Sequence, residues 1–412
     1  MRHTWCAILI AAMAGCSSNE TDVAQPVDEA AELHSQGQYR LVKVMDSLGG
    51  VTRVGTSINN RGWVAGFANL AGNATRHAAL WRPGQPIKDL LTLGGPNSLV
   101  VWPGLNDRGM IVGIAETAET DSLGESWSCT AFLPFGRATG HVCRGFFWDG
   151  SGPIQALPTF GGTHGFATEI NNKGQAVGWA ETLVYDPTCD STTTQKLQFR
   201  AALWEPKKNR MIQLRPYGND SVSSATAIND RGQVVGISGE CDQAVGRGSA
   251  RHAVMWEHGK VKRIGDLGGN GWHTPMDINE EGDVTGFSNP EADREGDFVE
   301  AFFWSRHRGV KRLGKVAGHD FSQAFGINNR RTVVGRSCGA NGCVAVIWQG
   351  DRMTDLNTII DGPKGGVLVH ARHINDEGQI TGNMIDSTSG NNVVFIATPR
   401  RGHRHVASEG AQ

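Results

Sequence analysis

Residues 228–236 read Ile228-Asn229-Asp230-Arg231-Gly232-Gln233-Val234-Val235-Gly236. A Gly after two turn-forming polar residues supplies a positive φ, and Asn and Asp side chains bond nearby backbone groups, so the stretch reads as a hairpin turn. Gln233 to Gly236 then reads as the strand that leaves the turn, with Gly236 admitting close approach of a neighbouring sheet. The same unit stands at Ile58-Asn59-Asn60-Arg61-Gly62, Leu105-Asn106-Asp107-Arg108-Gly109 and Ile170-Asn171-Asn172-Lys173-Gly174. It returns at Ile278-Asn279-Glu280-Glu281-Gly282 and Ile374-Asn375-Asp376-Glu377-Gly378. A further copy, Ile327-Asn328-Asn329-Arg330-Arg331, lacks the Gly, so Arg331 has to adopt a left-handed conformation or a different turn. The starts lie 47, 65, 58, 50, 49 and 47 residues apart.

Other strand signals recur at the same period. One ends in Trp, as in Ala78-Ala79-Leu80-Trp81, Ala201-Ala202-Leu203-Trp204 and Ala345-Val346-Ile347-Trp348. Another ends in an apolar-Gly-Gly corner, as in Leu93-Gly94-Gly95 and Phe160-Gly161-Gly162. Four strands per period of about 50 residues describe a propeller blade. We name them a, b, c and d from the channel outward, with the Ile-Asn turn joining a to b. Seven turns give an all-β, seven-bladed β-propeller of four-stranded antiparallel blades. The last repeat runs out after strand c, near Thr398, while Tyr39 to Val44 is a d strand with nothing before it. The N-terminal strand is therefore expected to complete the last blade, removing an open sheet edge.

Composition agrees. Gly makes up 55 of 412 residues, roughly 13% against about 7% in ordinary chains. Lys plus Arg (39) nearly balances Asp plus Glu (41), so no global field selects nucleic acid. After the first twenty residues no apolar run approaches the ~18 needed to span a bilayer. Residues 1–16 read as an export signal, with Arg2 before a short apolar stretch. Met13-Ala14-Gly15-Cys16 resembles a bacterial lipobox, which makes Cys16 the lipidated residue; the competing reading is a plain secretory signal cut nearby. Ser17 after that Cys resembles the signal for outer-membrane delivery. Residues 17–38 read as a disordered tether, 39–398 as the propeller, and 399–412 as a basic disordered tail. The expected address is the outer membrane, cell surface or periplasm.

His77-Ala78, His252-Ala253, Gly326-Ile327-Asn328 and the Leu-Gly-Gly corners together resemble the HAF-repeat family of bacterial extracellular repeat proteins, over roughly residues 39 to 398. That resemblance implies export and a propeller-like β fold. It implies no reaction.

In a propeller the b–c and d–a connections share one face, and the a–b and c–d turns share the other. The longest insertions, 116–144 and 181–198, are b–c loops of blades 2 and 3. Cys129, Cys143, Cys189, Cys241, Cys338 and Cys343 lie in or beside b–c loops, and oxidised pairs fit an exported chain. Six cysteines allow 15 pairings; position favours Cys338 with Cys343, Cys129 with Cys143, and Cys189 with Cys241. No Cys-x-x-Cys metal spacing occurs. The same loops gather acid at Glu116, Glu119, Asp121, Glu125, Glu181, Asp186, Asp190, Glu240 and Asp242, which reads as a solvated, outward acidic face. Asp293, Glu295 and Asp297 alternate in a way that weakly fits Ca²⁺. The opposite face carries Arg61, Arg108, Lys173, Lys207, Lys208, Arg210, Arg231, Lys260, Arg306, Arg308, Arg330, Arg331 and Arg352 and reads as basic; the two readings are ordinary solvated turns and a side lying against the anionic membrane.

No zinc-protease, phosphate-loop or nucleophile-elbow motif is present. His164, His273, His319 and His370 fall at the b–c mouth of the channel, with Glu169, Asp277 and His373 on inner strands. His titrates near neutrality, so convergence of these side chains would support acid–base chemistry; their offsets from the motif Ile differ, and the competing reading is buried or capped His. Trp102, Trp127 and Trp272 fall outside the repeating Trp pattern and are candidates for ligand stacking. Two function classes follow: a monomeric, anchored, non-catalytic module binding an envelope protein or glycan, and an extracytoplasmic lyase or hydrolase working at the channel mouth.

Overall fold

Every Ile-Asn turn closes a hairpin between the two innermost strands of one sheet. Blade 3 shows the pattern: Gly161–Ile170, Ala176–Tyr185, Leu197–Glu205 and Arg210–Leu214 pair in sequence order, all antiparallel. Six sheets of four consecutive strands follow this order. The computed structural model describes residues 38–125, 139–189, 195–241, 250–293, 298–361 and 364–400.

The seventh sheet confirms the expected closure. Strand β1 (Tyr39–Val44) runs antiparallel to strand c of the last blade, in register from Tyr39 opposite Pro399 to Val44 opposite Val394. Lys43 Nζ ties β1 to the blade through Asp386 Oδ2 and the Gly365 carbonyl, both at 2.6 Å. A short strand not foreseen in the sequence, Ile360–Asp361, adds in parallel outside β1 and makes this blade five-stranded. Both ends of the described chain leave on the a–b face, where Arg400 N–H donates to the Gln38 carbonyl at 2.9 Å.

Three local readings are refined. The second motif Gly does not serve contact between sheets. A Cβ on Gly236 would meet the Ser224 carbonyl oxygen of its own strand a at 2.1 Å, and on Gly178 the Phe166 carbonyl at 1.9 Å. Strand a carries a β-bulge beside it, between Ala225 and Ala227 and between Ala167 and Glu169. The bulge pushes a carbonyl toward strand b, and only Gly admits it. The Gly-Gly corner opens strand a rather than ending strand d, with Gly94 and Gly161 at φ +106° and +105°. Arg331 takes the left-handed conformation, φ +61°, and its guanidinium reaches the buried Asp283 at 2.7 Å.

The core lies between blades. One cluster joins Ala65 and Leu80 of blade 1 to Ile111, Phe146 and Trp148 of blade 2. The strand-c Trp residues at 81, 148, 204, 256, 304 and 348 are all buried. Trp204 and Trp256 donate Nε1–H to carbonyls of the preceding blade, Pro158 at 2.9 Å and Arg215 at 2.7 Å. This satisfies the one polar atom each ring buries.

Candidate functional site: the central channel

The seven motif Asn side chains form a closed ring at the a–b mouth of the channel. Each Nδ2 donates to the backbone carbonyl of the equivalent Asn in the next blade, at 2.8–3.2 Å, from Asn59 round to Asn375 and back to Asn59. Each Oδ1 accepts the backbone N–H four residues on in its own turn, at 2.8–3.0 Å. A second ring lies beside it. The backbone N–H of Asn60, Asp107, Asn172, Asp230, Glu280, Asn329 and Asp376 each donates to the side-chain oxygen of the next member, at 2.7–2.9 Å. Turn chemistry and blade-to-blade adhesion are thus carried by the same two residues.

One layer deeper stands the residue before each motif Ile. Glu169 Oε2 accepts from Ile228 N–H at 3.0 Å, Asp277 Oδ2 from Ile327 N–H at 2.8 Å, and His373 Nδ1 from Ile58 N–H at 3.0 Å. His373 Nε2 lies 3.8 Å from Asp277 Oδ2 across blade 6, which has only Gly326 at this level. Burial pushes the Glu169 carboxyl well above its ordinary range, with the charge of Asp277 adding to it; burial also raises Asp277 and lowers His373. These three groups are blade-to-blade acceptors.

Further toward the b–c side the channel turns aromatic. Trp102 of blade 2 packs edge-on to Phe166 and Trp179 at 5.5 and 6.2 Å. It also joins Trp272 and Phe321 against a cluster of Met276, Phe287, Val299 and Phe325 in blades 5 and 6, so it spans the axis. Trp272 holds φ +59°, an uncommon conformation for a bulky residue. The structure therefore brings Trp102 and Trp272 together; Trp127 lies outside the described residues.

Each of the four expected histidines is held by partners of its own. His164 Nδ1 accepts from Cys143 N–H at 3.1 Å, and its Nε2 lies 3.5 Å from Asp121. His273 and His319 bond the hydroxyls of Ser288 and Ser337 within their own blades, at 2.8 and 2.9 Å. His370 sits between Arg336 and Asn383. None of the four lines the cavity of the Asn ring.

The acidic b–c loops also need correcting. Glu116, Glu125 and Glu181 are buried, as are Asp121 and Asp186. Glu181 Oε2 accepts from His164 N–H and Thr163 Oγ1 at 2.7 and 2.8 Å, and Glu125 Oε1 from Lys196 N–H at 2.7 Å. A carboxylate that accepts several N–H bonds is an effective strut for irregular backbone, so these five carboxylates lie inside the loops, whereas Glu119 stays exposed and Asp190 and Asp242 lie outside the described residues. The opposite face is not uniformly basic: Glu257 pairs with Arg306 and Lys262 at 2.8 and 3.1 Å, and Glu205 with Lys208 at 2.8 Å.

Cys189–Cys241 and Cys338–Cys343 are bonded, at 2.04 and 2.06 Å. Cys143 is also disulfide-bonded; Cys129, its expected partner, lies outside the described residues, as does Cys16. Asp293 Oδ2 accepts from Asn289 Nδ2 and Phe298 N–H at 2.9 and 2.6 Å; Glu295 and Asp297 lie outside the described residues. Among the described residues no three His, Cys, Asp or Glu side chains are grouped to hold a metal ion, and no helix is long and apolar enough to cross a membrane.

No protein-family model matches this chain. No curated protein matches it in sequence. Solved structures similar to it include the β-propeller domain of the Trilobed protease from Pyrococcus furiosus, at 10% identity over 83% of this chain and 95% of that one, TM-score 0.49. Acylaminoacyl peptidase of Pyrococcus horikoshii is similar at 11% identity over 86% of this chain, TM-score 0.48; the match spans 53% of the peptidase. Oligogalacturonate lyase of Vibrio parahaemolyticus is similar at 10% identity over 88% of this chain and 98% of that one, TM-score 0.43.

Proposed function

We propose that this chain is an exported envelope protein, lipid-anchored through Cys16, that acts as a non-catalytic recognition module through the b–c face of blades 2 to 4. One observation carries the reading: the described ends of the b–c loops of three successive blades are tied to one another beside a row of exposed apolar side chains. Glu125 of blade 2 accepts Lys196 N–H of blade 3 at 2.7 Å. Cys241 N–H of blade 4 donates to Thr188 Oγ1 of blade 3 at 2.9 Å, beside the Cys189–Cys241 bond. At the rim stand Leu183, Val184 and Tyr185, which are 73%, 55% and 63% exposed. Consecutive exposed apolar residues on a rigid support are a feature of protein-binding surfaces, which favours a protein partner over a glycan. The four histidines, each engaged by its own partners, give the lyase or hydrolase reading no matching support.

A photo-crosslinking amino acid at position 184, in cells, tests this. The expected result is a discrete adduct from position 184 and none from Lys260 on the opposite face. No adduct from 184, or the same adduct from both positions, contradicts it. Export and anchoring are tested separately: labelled palmitate is expected in the wild-type chain and not in Cys16→Ser, and label in both, or in neither, contradicts a lipid at Cys16.

A further inference from the structure

Two guanidinium groups meet between the inner strands of blades 6 and 7, and among the described residues neither is paired with a carboxylate. Arg336, on strand b of blade 6, donates Nε–H to Gln323 Oε1 at 2.8 Å and Nη1–H to His370 Nε2 at 2.7 Å. Arg can only donate, so His370 accepts at Nε2 and carries its proton on Nδ1, which faces Asn383 Oδ1 at 3.2 Å. Arg372, on strand a of blade 7, places Nη2 3.3 Å from that same protonated Nδ1, which is a close approach of two donors. Its Nε is buried and has no hydrogen-bond partner. Among the described residues no carboxylate lies within 4 Å of either guanidinium, whereas Arg331 and Lys43 each have one.

The local charge is two positive. Burial, then the two guanidiniums, push His370 down to about 2, so it stays neutral. Burial draws Arg336 and Arg372 to about 10, which leaves both protonated at neutral pH. Phe325 lies under both cations at 5.6 and 5.4 Å, and Phe321 under Arg336 at 5.7 Å. Cation–π contacts of this kind are weak beside the desolvation of two adjacent like charges. Both arginines nonetheless keep part of their surface open. Phe325 belongs to the apolar cluster on which Trp102 and Trp272 pack. The result is two adjacent guanidiniums against one aromatic wall, whose remaining N–H groups suit an oxyanion carried on an apolar body.

We propose that Arg336, Arg372 and the Phe325 wall form a binding site for a small oxyanion-bearing solute, a carboxylate or a phosphate. The site is separate from the b–c face of blades 2 to 4, and neither reading depends on the other.

Calorimetric titration of the full chain in low-chloride buffer tests it with three probes: sodium benzoate, inorganic phosphate, and benzamide as the neutral match of benzoate. Saturable 1:1 binding of benzoate, phosphate or both is expected, with none of benzamide; which anion binds fixes the class. Arg336→Gln and Arg372→Gln are each expected to weaken that binding at least tenfold. Without added anion, Arg372→Gln is expected to melt at a higher temperature than wild type, because one of two adjacent like charges is gone. Arg372→Lys keeps the charge but loses the fork, and is expected to bind several-fold more weakly; it decides the matter if the Gln variants do not fold. No saturable binding of either anion, equal binding of benzamide, or affinity unchanged in the Arg variants overturns the proposal.

Discussion

Asn229 makes four hydrogen bonds from one buried amide: to the Asn279 carbonyl, to Gln233 Oε1, and from the N–H groups of Arg231 and Gln233. Asn229→Ala leaves those groups unpaired where water does not reach, at a cost of about 3 kcal/mol. Asn60→Ala, one position along but exposed, is expected to cost under about 1 kcal/mol, because water replaces the lost bonds. Urea titration of both variants checks the contrast; equal losses would mean that the inner ring is not what binds blade to blade. Glu169 gives a pH test. Its folded pKa is raised, so its protonated form favours the folded chain, and that contribution declines as pH rises from about 4.5 toward the raised value. Gln keeps an acceptor for Ile228 N–H without the charge. Glu169→Gln is therefore expected to raise the melting temperature more at pH 8 than at pH 5, measured by calorimetry. A smaller gain at pH 8 would show that Glu169 is not held in an unfavourable ionised state.

At the scale of elements, the a–b hairpin was plain in the sequence because its requirements are local: a positive φ at Gly and polar caps in the turn. Its second role was not, because the partner of each Asn lies one blade away at 47–65 residues in sequence. The b–c loops show the same limit more sharply. Their carboxylates look like solvated acid in sequence, and only the folded arrangement shows that Glu181 and Glu125 hold loop backbone from within. The His residues at the channel mouth were visible as a set, but nothing in one chain's spacing fixes where each ring points. Arg336 and Arg372 give no joint signal in the sequence, because they are 36 residues apart and match no motif. Of the loop restraints, Cys189–Cys241 spans 52 residues, and in the chain-entropy view its loss costs about 4 kcal/mol. A Cys189→Ala, Cys241→Ala double variant is expected to lose that much in denaturant titration and to show faster proteolysis in the blade 3 and 4 loops. An unchanged midpoint would mean that the hydrogen bonds there suffice without the bond.

Across the whole molecule, stability is shared between neighbours, since each blade buries both faces and the hydrophobic clusters straddle blade boundaries. Such a ring is only as closed as its weakest seam. That seam is the last blade, where β1 returns from the other end of the chain and pairs all six of its residues with strand c. Deleting residues 39–44 removes this strand, exposes the edge of Asn392–Pro399 and leaves the Ile360–Asp361 strand without its partner. The product is expected to aggregate in light scattering and to melt at least ten degrees lower; a monomer with an unshifted melting temperature would deny the strand its role.

The most direct measurement is amide hydrogen exchange of β1 in the intact chain. If the ring is sealed by this strand, the hydrogen-bonded amides of residues 40–44 exchange only as slowly as the inner strands of blades 3 and 4, through opening of the whole molecule. Exchange of those amides at the rate of the exposed c–d turns, with the inner strands still protected, would contradict it.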